Sequence, residues 1–249
     1  MPKYTPSNKN LIFGRHPVIE AIRAGKTIDK VLIQQDVVGH FAKEVRQLCK
    51  QYSIPLQMIP KDRMNRIVRG NHQGIIGWLS LISYHKLSDV LPFVYEQGQI
   101  PLFLLLDGVT DVRNFGAIAR SAEVFGVQAI IIPKKKSAQI TPEAIKTSAG
   151  ALLEIPICRE ASIIGAVEYL QQSGVQVFAS NLEGDKHIDK LDFSVPTAII
   201  MGAEDRGVSP SILKKVNESF IIPQTGKTDS LNVSVATGVI LYEIMRQRR

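Results

Sequence analysis

Met201-Gly202-Ala203-Glu204, Ile221-Ile222-Pro223 and Ser230-Leu231-Asn232-Val233-Ser234 follow one another near the end of the chain. Each reads as a buried strand halted by a small or polar residue. In an α/β protein such strand ends expose backbone amides and carbonyls to a ligand. Upstream of them, the apolar runs Leu102–Leu106, Ala129–Ile132, Val175–Ala179, Ala198–Met201 and Phe220–Ile222 alternate with helical stretches. Strands apolar on both faces with helices between them predict an α/β fold, a parallel sheet wrapped by helices, over residues 101–249.

The texture ahead of Pro101 is different. Residues 8–83 read as a small α/β unit, with strands at Val31–Ile33, Ile54–Ile59 and Gly74–Leu79 and helices at Val37–Tyr52 and Lys61–Arg69. Residues 84–100 read as a linker carrying a short helix, capped by Ser88 and closed by Gly98 and Pro101.

With 249 residues, 45% of them apolar, the chain can bury a real core, and a net charge of +7 suits a polyanionic partner. Cys49 and Cys158 stand alone, so neither a disulfide framework nor a zinc site is expected and a reducing cytoplasm fits best. The five histidines lack metal or triad spacing, so no metal is expected. No apolar run approaches the ~18 residues of a membrane span, and no signal peptide is evident.

Asp107 to Gly116 leads from the first strand of the second domain into a helix. On the helical wheel Phe115, Ile118, Ala119, Ala122 and Phe125 share one face, and Arg113 and Arg120 share the opposite one. Gly116 and Ala117 between the arginines predict a bare patch open to a phosphate and a sugar, against the plainer alternative of a solvated helix face. Gly202 to Gly207 follows a strand and precedes Ser209-Pro210, a start signal for a helix. Gly226-Lys227-Thr228 and Gly25-Lys26-Thr27 are not phosphate loops, because Ile221 and Glu20 stand where that pattern needs its first glycine. Ser230 to Asn232 opens a final helix apolar on most faces, which is therefore buried or paired with another chain. Arg15-His16-Pro17 and the loop Arg69 to Gly74 read equally as an RNA grip or as polar surface.

Taken in order, Asn114-x-Gly116-x-x-x-Arg120, Gly202-Ala203-Glu204 with Gly207, and Ser230-Leu231-Asn232-Val233-Ser234 with Ala236 and Thr237 resemble the three motifs of the SpoU-type (SPOUT superfamily) RNA 2'-O-ribose methyltransferases. Asn10 to Val18 resembles the start of the substrate-binding domain that precedes many of them. Among members, those acting on guanosine in 23S rRNA are most similar, with tRNA-directed enzymes next. The resemblance implies a C-terminal trefoil knot, S-adenosylmethionine as cofactor, and a homodimer. Periodicity alone predicts an ordinary doubly wound sheet.

The resemblance further implies cofactor contacts at Gly202, Ile222 and Leu231, and a catalytic set of Arg120, Asn114, Glu204, Ser230 and Asn232. RNA contacts would come from Arg15, His16 and Arg113. An arginine holds its proton beyond pH ~12, so Arg120 is expected to orient the ribose and stabilise charge rather than act as a base. Asp205-Arg206 and the charged loop Thr225 to Asp229 depart from the family pattern. The rival reading is an RNA-binding protein that keeps the fold without the chemistry.

Overall fold

The computed structural model describes residues 10–184, 186–226 and 230–249. The chain divides into two compact units, one ending at Ser83 and one spanning Tyr84–Arg249. Among the described residues, no helix is long and apolar enough to cross a membrane.

The smaller unit runs β1 (Leu11–Phe13), α1 (Arg15–Arg23), β2 (Ile28–Gln34), α2 (His40–Gln51), β3 (Leu56–Ile59), α3 (Lys61–Ile67) and β4 (Ile75–Leu79). Its sheet has the order β1-β4-β2-β3, with β4 antiparallel to β1 and β2, and β2 parallel to β3. Strand alternation divides the core. Val31 and Ile33 face Val18, Ala42, Val45 and Cys49, whereas Leu32 joins Ile59, Met64 and Ile76 on the other side. Helix α2 starts later than its apolar pattern suggests because Gly39, at φ +82°, turns the chain just before it.

His72 is buried in this unit and is structural. Its Nδ1 accepts from the Gly74 amide at 3.0 Å, so Nε2 carries the proton and donates to Asn65 Oδ1 at 2.9 Å. Burial and nearby Lys61 push its pKa below the usual histidine value.

The larger unit comprises β5 (Tyr84–His85), α4 (Leu87–Glu96), β6 (Leu102–Asp107), α5 (Val112–Val124), β7 (Ala129–Pro133), α6 (Pro142–Thr147), α7 (Ala151–Glu154), β8 (Ile157–Glu160) and α8 (Ile163–Gln172). It continues with β9 (Gln176–Ser180), β10 (Lys186–His187), β11 (Thr197–Gly202), α9 (Pro210–Leu213), β12 (Glu218–Ile221) and α10 (Val233–Gln247). One sheet of order β10-β12-β9-β11-β6-β7-β8-β5 holds the strands, with parallel pairings throughout. The central β11 is buried from end to end, as β6 is over Leu102–Leu106, which is why both read as unbroken apolar runs.

Residues 84–96 do not form a linker. Tyr84 and His85 pair with β8, and Leu87, Val90, Leu91 and Val94 pack in the core with Phe103, Leu105, Val167 and Leu170. Ser88 is not the cap of α4: Lys86 holds that position, the Leu87 amide donates to Glu160 Oε1 at 3.1 Å, and Ser88 bonds Asp89. The third strand stop read from the sequence is also different, since Ser230 to Asn232 is a loop and helix cap.

Helix α10 is tied down at its far end. The Arg248 guanidinium donates to the carbonyls of Phe193 (2.8 Å), Ile100 (3.1 Å), Pro101 (3.0 Å) and Val195 (2.8 Å), while Gln247 Oε1 accepts from the Phe193 amide at 2.9 Å.

Candidate active site

The carboxyl ends of β6, β9, β11 and β12 meet at one edge of the larger sheet, where two neighbouring cavities open. The larger encloses about 440 Å3. Met201, Val208, Leu213, Val233 and Ala236 give it apolar lining, and Glu183, Glu204, Asp205 and Arg206 supply its charges. The smaller, about 200 Å3, lies between Gly108–Asp111 with Asn114 on one side and Ala203–Asp205 on the other. Glu204 lines both.

Local structure explains how Glu204 comes to stand there. Ala203 and Gly207 exchange backbone hydrogen bonds of 3.1 and 2.8 Å, so the chain turns back on itself after β11. Gly207 sits at φ +65°, and a Cβ on Gly202 would overlap the Gly207 carbonyl. Both glycines are therefore required by the turn that displays Glu204, Asp205 and Arg206. Ser209 begins α9, but its side chain does not cap it. Its amide donates to Asp107 Oδ2 at 2.8 Å and its hydroxyl donates to the same oxygen, which fastens the turn to the end of β6.

Two helix starts converge on Glu204. Asp111 caps α5 by accepting from the amides of Arg113 and Asn114, both at 2.9 Å, which sets Asn114 in the first turn. Asn232 caps α10, its Oδ1 accepting from the Ser234 amide (2.9 Å) and hydroxyl (2.6 Å). That leaves its Nδ2 to donate to Glu204 Oε1 at 2.6 Å and to Asn114 Oδ1 at 3.2 Å. Asn114 Nδ2 donates to the same Glu204 oxygen at 2.8 Å. The first turns of two helices thus lie beside one carboxylate.

Two family models match the chain: the SpoU rRNA methylase family over residues 101–242, and RNA 2'-O ribose methyltransferase substrate binding over residues 11–84. The chain belongs to the SpoU rRNA methylase family. It is 30% identical over 237 residues, 95% of each chain, to a TrmH family tRNA/rRNA methyltransferase of Bacillus subtilis. It is 34% identical to an uncharacterized tRNA/rRNA methyltransferase of Mycolicibacterium vanbaalenii, covering 96% of this chain and 77% of that one. Among solved structures, the AdoMet-bound rRNA methyltransferase of Sinorhizobium meliloti matches with TM-score 0.61 and 26% identity over 95% of this chain and 87% of that one. A TrmH/SpoU tRNA modifying enzyme of A. aeolicus matches with TM-score 0.56 and 32% identity over 60% of this chain and 76% of that one.

Within this SpoU frame, Gly202, Ile222, Ser230 and Leu231 line the larger cavity, Asn114 lines the smaller, and Asn232 is bonded to residues of each. Arg120 lines neither. It is exposed on α5 and, among the described residues, makes no hydrogen bond or ion pair. Arg113 is also exposed, and its Nε pairs with Glu143 Oε1 at 2.8 Å, a bond that raises its pKa.

The patch expected at Gly116 is absent, because Gly116 is buried. A Cβ there would lie 2.8 Å from the Ala144 carbonyl oxygen and from Thr147 Cβ, so the glycine lets α6 approach α5 closely. In the smaller unit, Arg15 stacks 4.3 Å over the Phe41 ring, its amide donates to Gln73 Oε1 at 2.9 Å, and His16 is exposed beside it. Lys227 to Asp229 of the charged loop lie outside the described residues. No group of side chains suited to a metal ion occurs among the described residues.

Sequence reasoning missed Asp107 and Ser209 as the fastening of the turn. It also missed Asn181–Glu183, the segment after β9 that walls the larger cavity. Asp107 and Asn181–Glu183 share one signal, position at a strand's carboxyl end, whereas Ser209 stands at the start of α9.

Proposed function

We propose that this chain transfers a methyl group from S-adenosylmethionine to the 2'-hydroxyl of one ribose in structured RNA, with 23S rRNA, at a guanosine, as first choice and tRNA as second. The observation that carries this reading is Glu204, held by Asn114 and Asn232 in the wall between two cavities of different size and character.

The larger cavity suits the cofactor. Its apolar surfaces accept an adenine ring, the backbone of the lining residues Gly202, Ile222 and Leu231 offers polar contacts, and Glu183, Glu204 and Asp205 favour a sulfonium cation. When bound, the cofactor would supply an electrophilic methyl carbon to the 2'-oxygen and leave as the neutral thioether, with the hydroxyl proton passing to water. The smaller cavity admits the ribose. Asn114, Ser230 and Asn232 fix its orientation, and most of the chain's contribution is positioning, which can lower a barrier by ~7 kcal/mol or more when the reacting atoms are aligned. Arg120 stays in the proposed set as the residue that orients the ribose and stabilises developing charge, a role it would exert from outside the two cavities, neither of which it lines. Arg15 and His16 in the smaller unit, with Arg113, contact the RNA.

The same reading carries a trefoil knot and a homodimer. In support of the dimer, Val235, Val239 and Tyr242 leave an apolar face of α10 exposed. Solution scattering tests it, since a monomer at micromolar concentration contradicts the reading.

The decisive experiment incubates the purified protein with tritiated S-adenosylmethionine and total RNA from a strain lacking its gene, then maps alkali-resistant linkages. One labelled 2'-O-methyl position establishes reaction and target. RNA binding with no cofactor binding by calorimetry overturns the reading in favour of a non-catalytic RNA-binding protein. Turnover by Arg120→Ala close to the parent, with RNA still bound, removes Arg120 from the catalytic set.

A further inference from the structure

A ribose 2'-hydroxyl within an RNA chain is always next to its own 3'-phosphate, so any site that admits the acceptor must also admit a negative charge. The lining of the two cavities is otherwise hostile to it. Glu183, Glu204 and Asp205 line the larger and Asp111, Glu204 and Asp205 the smaller, and like charges at such distances repel. Among the described lining residues one is cationic, Arg206.

Its placement is specific. A Cβ on Gly108 would lie 2.6 Å from Arg206 Nη2, so the guanidinium rests against the backbone of a residue that lines the smaller cavity. Gly108 is at φ +79°, which itself favours glycine, and the missing side chain is the space that Arg206 occupies. The turn bearing Arg206 is closed at its base by the Ala203–Gly207 bridge and fastened by the Asp107–Ser209 bonds. Despite the carboxylates around it, Arg206 makes no hydrogen bond or ion pair among the described residues, which leaves its fork of N–H donors available.

We propose that Arg206 binds the phosphate adjoining the methylated ribose, holding the RNA backbone across the boundary between the two cavities. This rests on the methyltransferase reading above and adds the group that accommodates the acceptor's charge. The sulfonium and the phosphate then bind at opposite sides of the Glu204 turn.

The test compares the full-length protein with Arg206→Gln and Arg206→Lys. Binding of 23S rRNA transcript is measured across a salt series, cofactor binding by calorimetry, and methyl transfer as a function of RNA concentration. Arg206→Gln should weaken RNA binding about 10- to 100-fold and flatten the dependence of log K on log salt by about 0.7 to 0.9, with cofactor affinity kept within about twofold. Arg206→Lys should restore the salt slope and part of the affinity, since it keeps the charge and loses the fork. Loss of cofactor affinity with RNA binding unchanged would place Arg206 on the cofactor's carboxylate and overturn the proposal, as would RNA binding unchanged in affinity and slope. If the parent protein binds RNA and transfers no methyl group, the methyltransferase reading fails, whereas the Arg206 comparison still reads out on binding alone.

Discussion

Asn232 Nδ2 donates to Glu204 Oε1 at 2.6 Å, joining the cap of the last helix to the turn after β11. One side chain therefore has two duties: its oxygen starts α10 and its nitrogen holds the carboxylate that lines both cavities.

Those duties can be separated. Asn232→Ala removes both and should cost about 1 kcal/mol of stability together with a large drop in methyl transfer. Asn232→Ser keeps a capping oxygen and loses the donor, so stability measured by urea denaturation should stay near the parent while turnover falls to the level of the alanine variant. Equal turnover by Asn232→Ser and the parent would show that the contact with Glu204 is dispensable.

Gly116→Ala tests whether that glycine serves packing or RNA. The added methyl meets the Ala144 carbonyl oxygen and Thr147, so α5 and α6 must separate at a cost of about 1–3 kcal/mol. Denaturant midpoints should fall accordingly, with RNA affinity of the folded protein unchanged. A stable protein with weakened RNA binding would restore Gly116 to the ligand surface.

Arg248→Met keeps length and removes a donor that satisfies four carbonyls. Leaving part of that set unsatisfied should destabilise the larger unit by about 2–4 kcal/mol, and Arg248→Lys should recover only part of it, because an ammonium cannot span four acceptors as a planar fork does. Urea titration of the three proteins measures this.

Acid should weaken the smaller unit through His72. Its folded pKa is lowered, so the unfolded chain binds a proton first as pH falls. The stabilisation is complete above the ordinary histidine value near ~6.5 and is lost as pH drops through the lower folded value. Protonation also removes the Nδ1 acceptor of the Gly74 amide. In His72→Gln the denaturant midpoint should be lower at pH 8 and should fall less between pH 7 and pH 5 than in the parent.

Much of this architecture was legible because its central strands are unbroken apolar runs. Leu102–Leu106 and Ala198–Met201 cannot be solvent-facing at either side, and their carboxyl ends mark the site. What was not legible lay where local pattern is weak. β5 is only Tyr84–His85 and β8 ends in Arg159 and Glu160, so neither announces itself, and the true role of residues 84–96 depends on a partner strand more than 70 residues away. A helical wheel places Gly116 between two arginines, but no wheel shows which helix packs there. It also sets Arg113 and Arg120 on one face, although Glu143 pairs with one of them alone. Ser209-Pro210 marked the start of α9, whereas the hydroxyl's bond to Asp107 is tertiary and has no local trace.

Because Glu204 lines both cavities, the wall between them is a single shared partition. On the proposed reading, reshaping it to suit a different RNA would also reshape the space given to the cofactor. A change of target is then left to the opposite wall, Gly108 to Asp111, to the smaller unit, and to Asp205 and Arg206 of the turn, while Glu204 itself is held in place by both occupants.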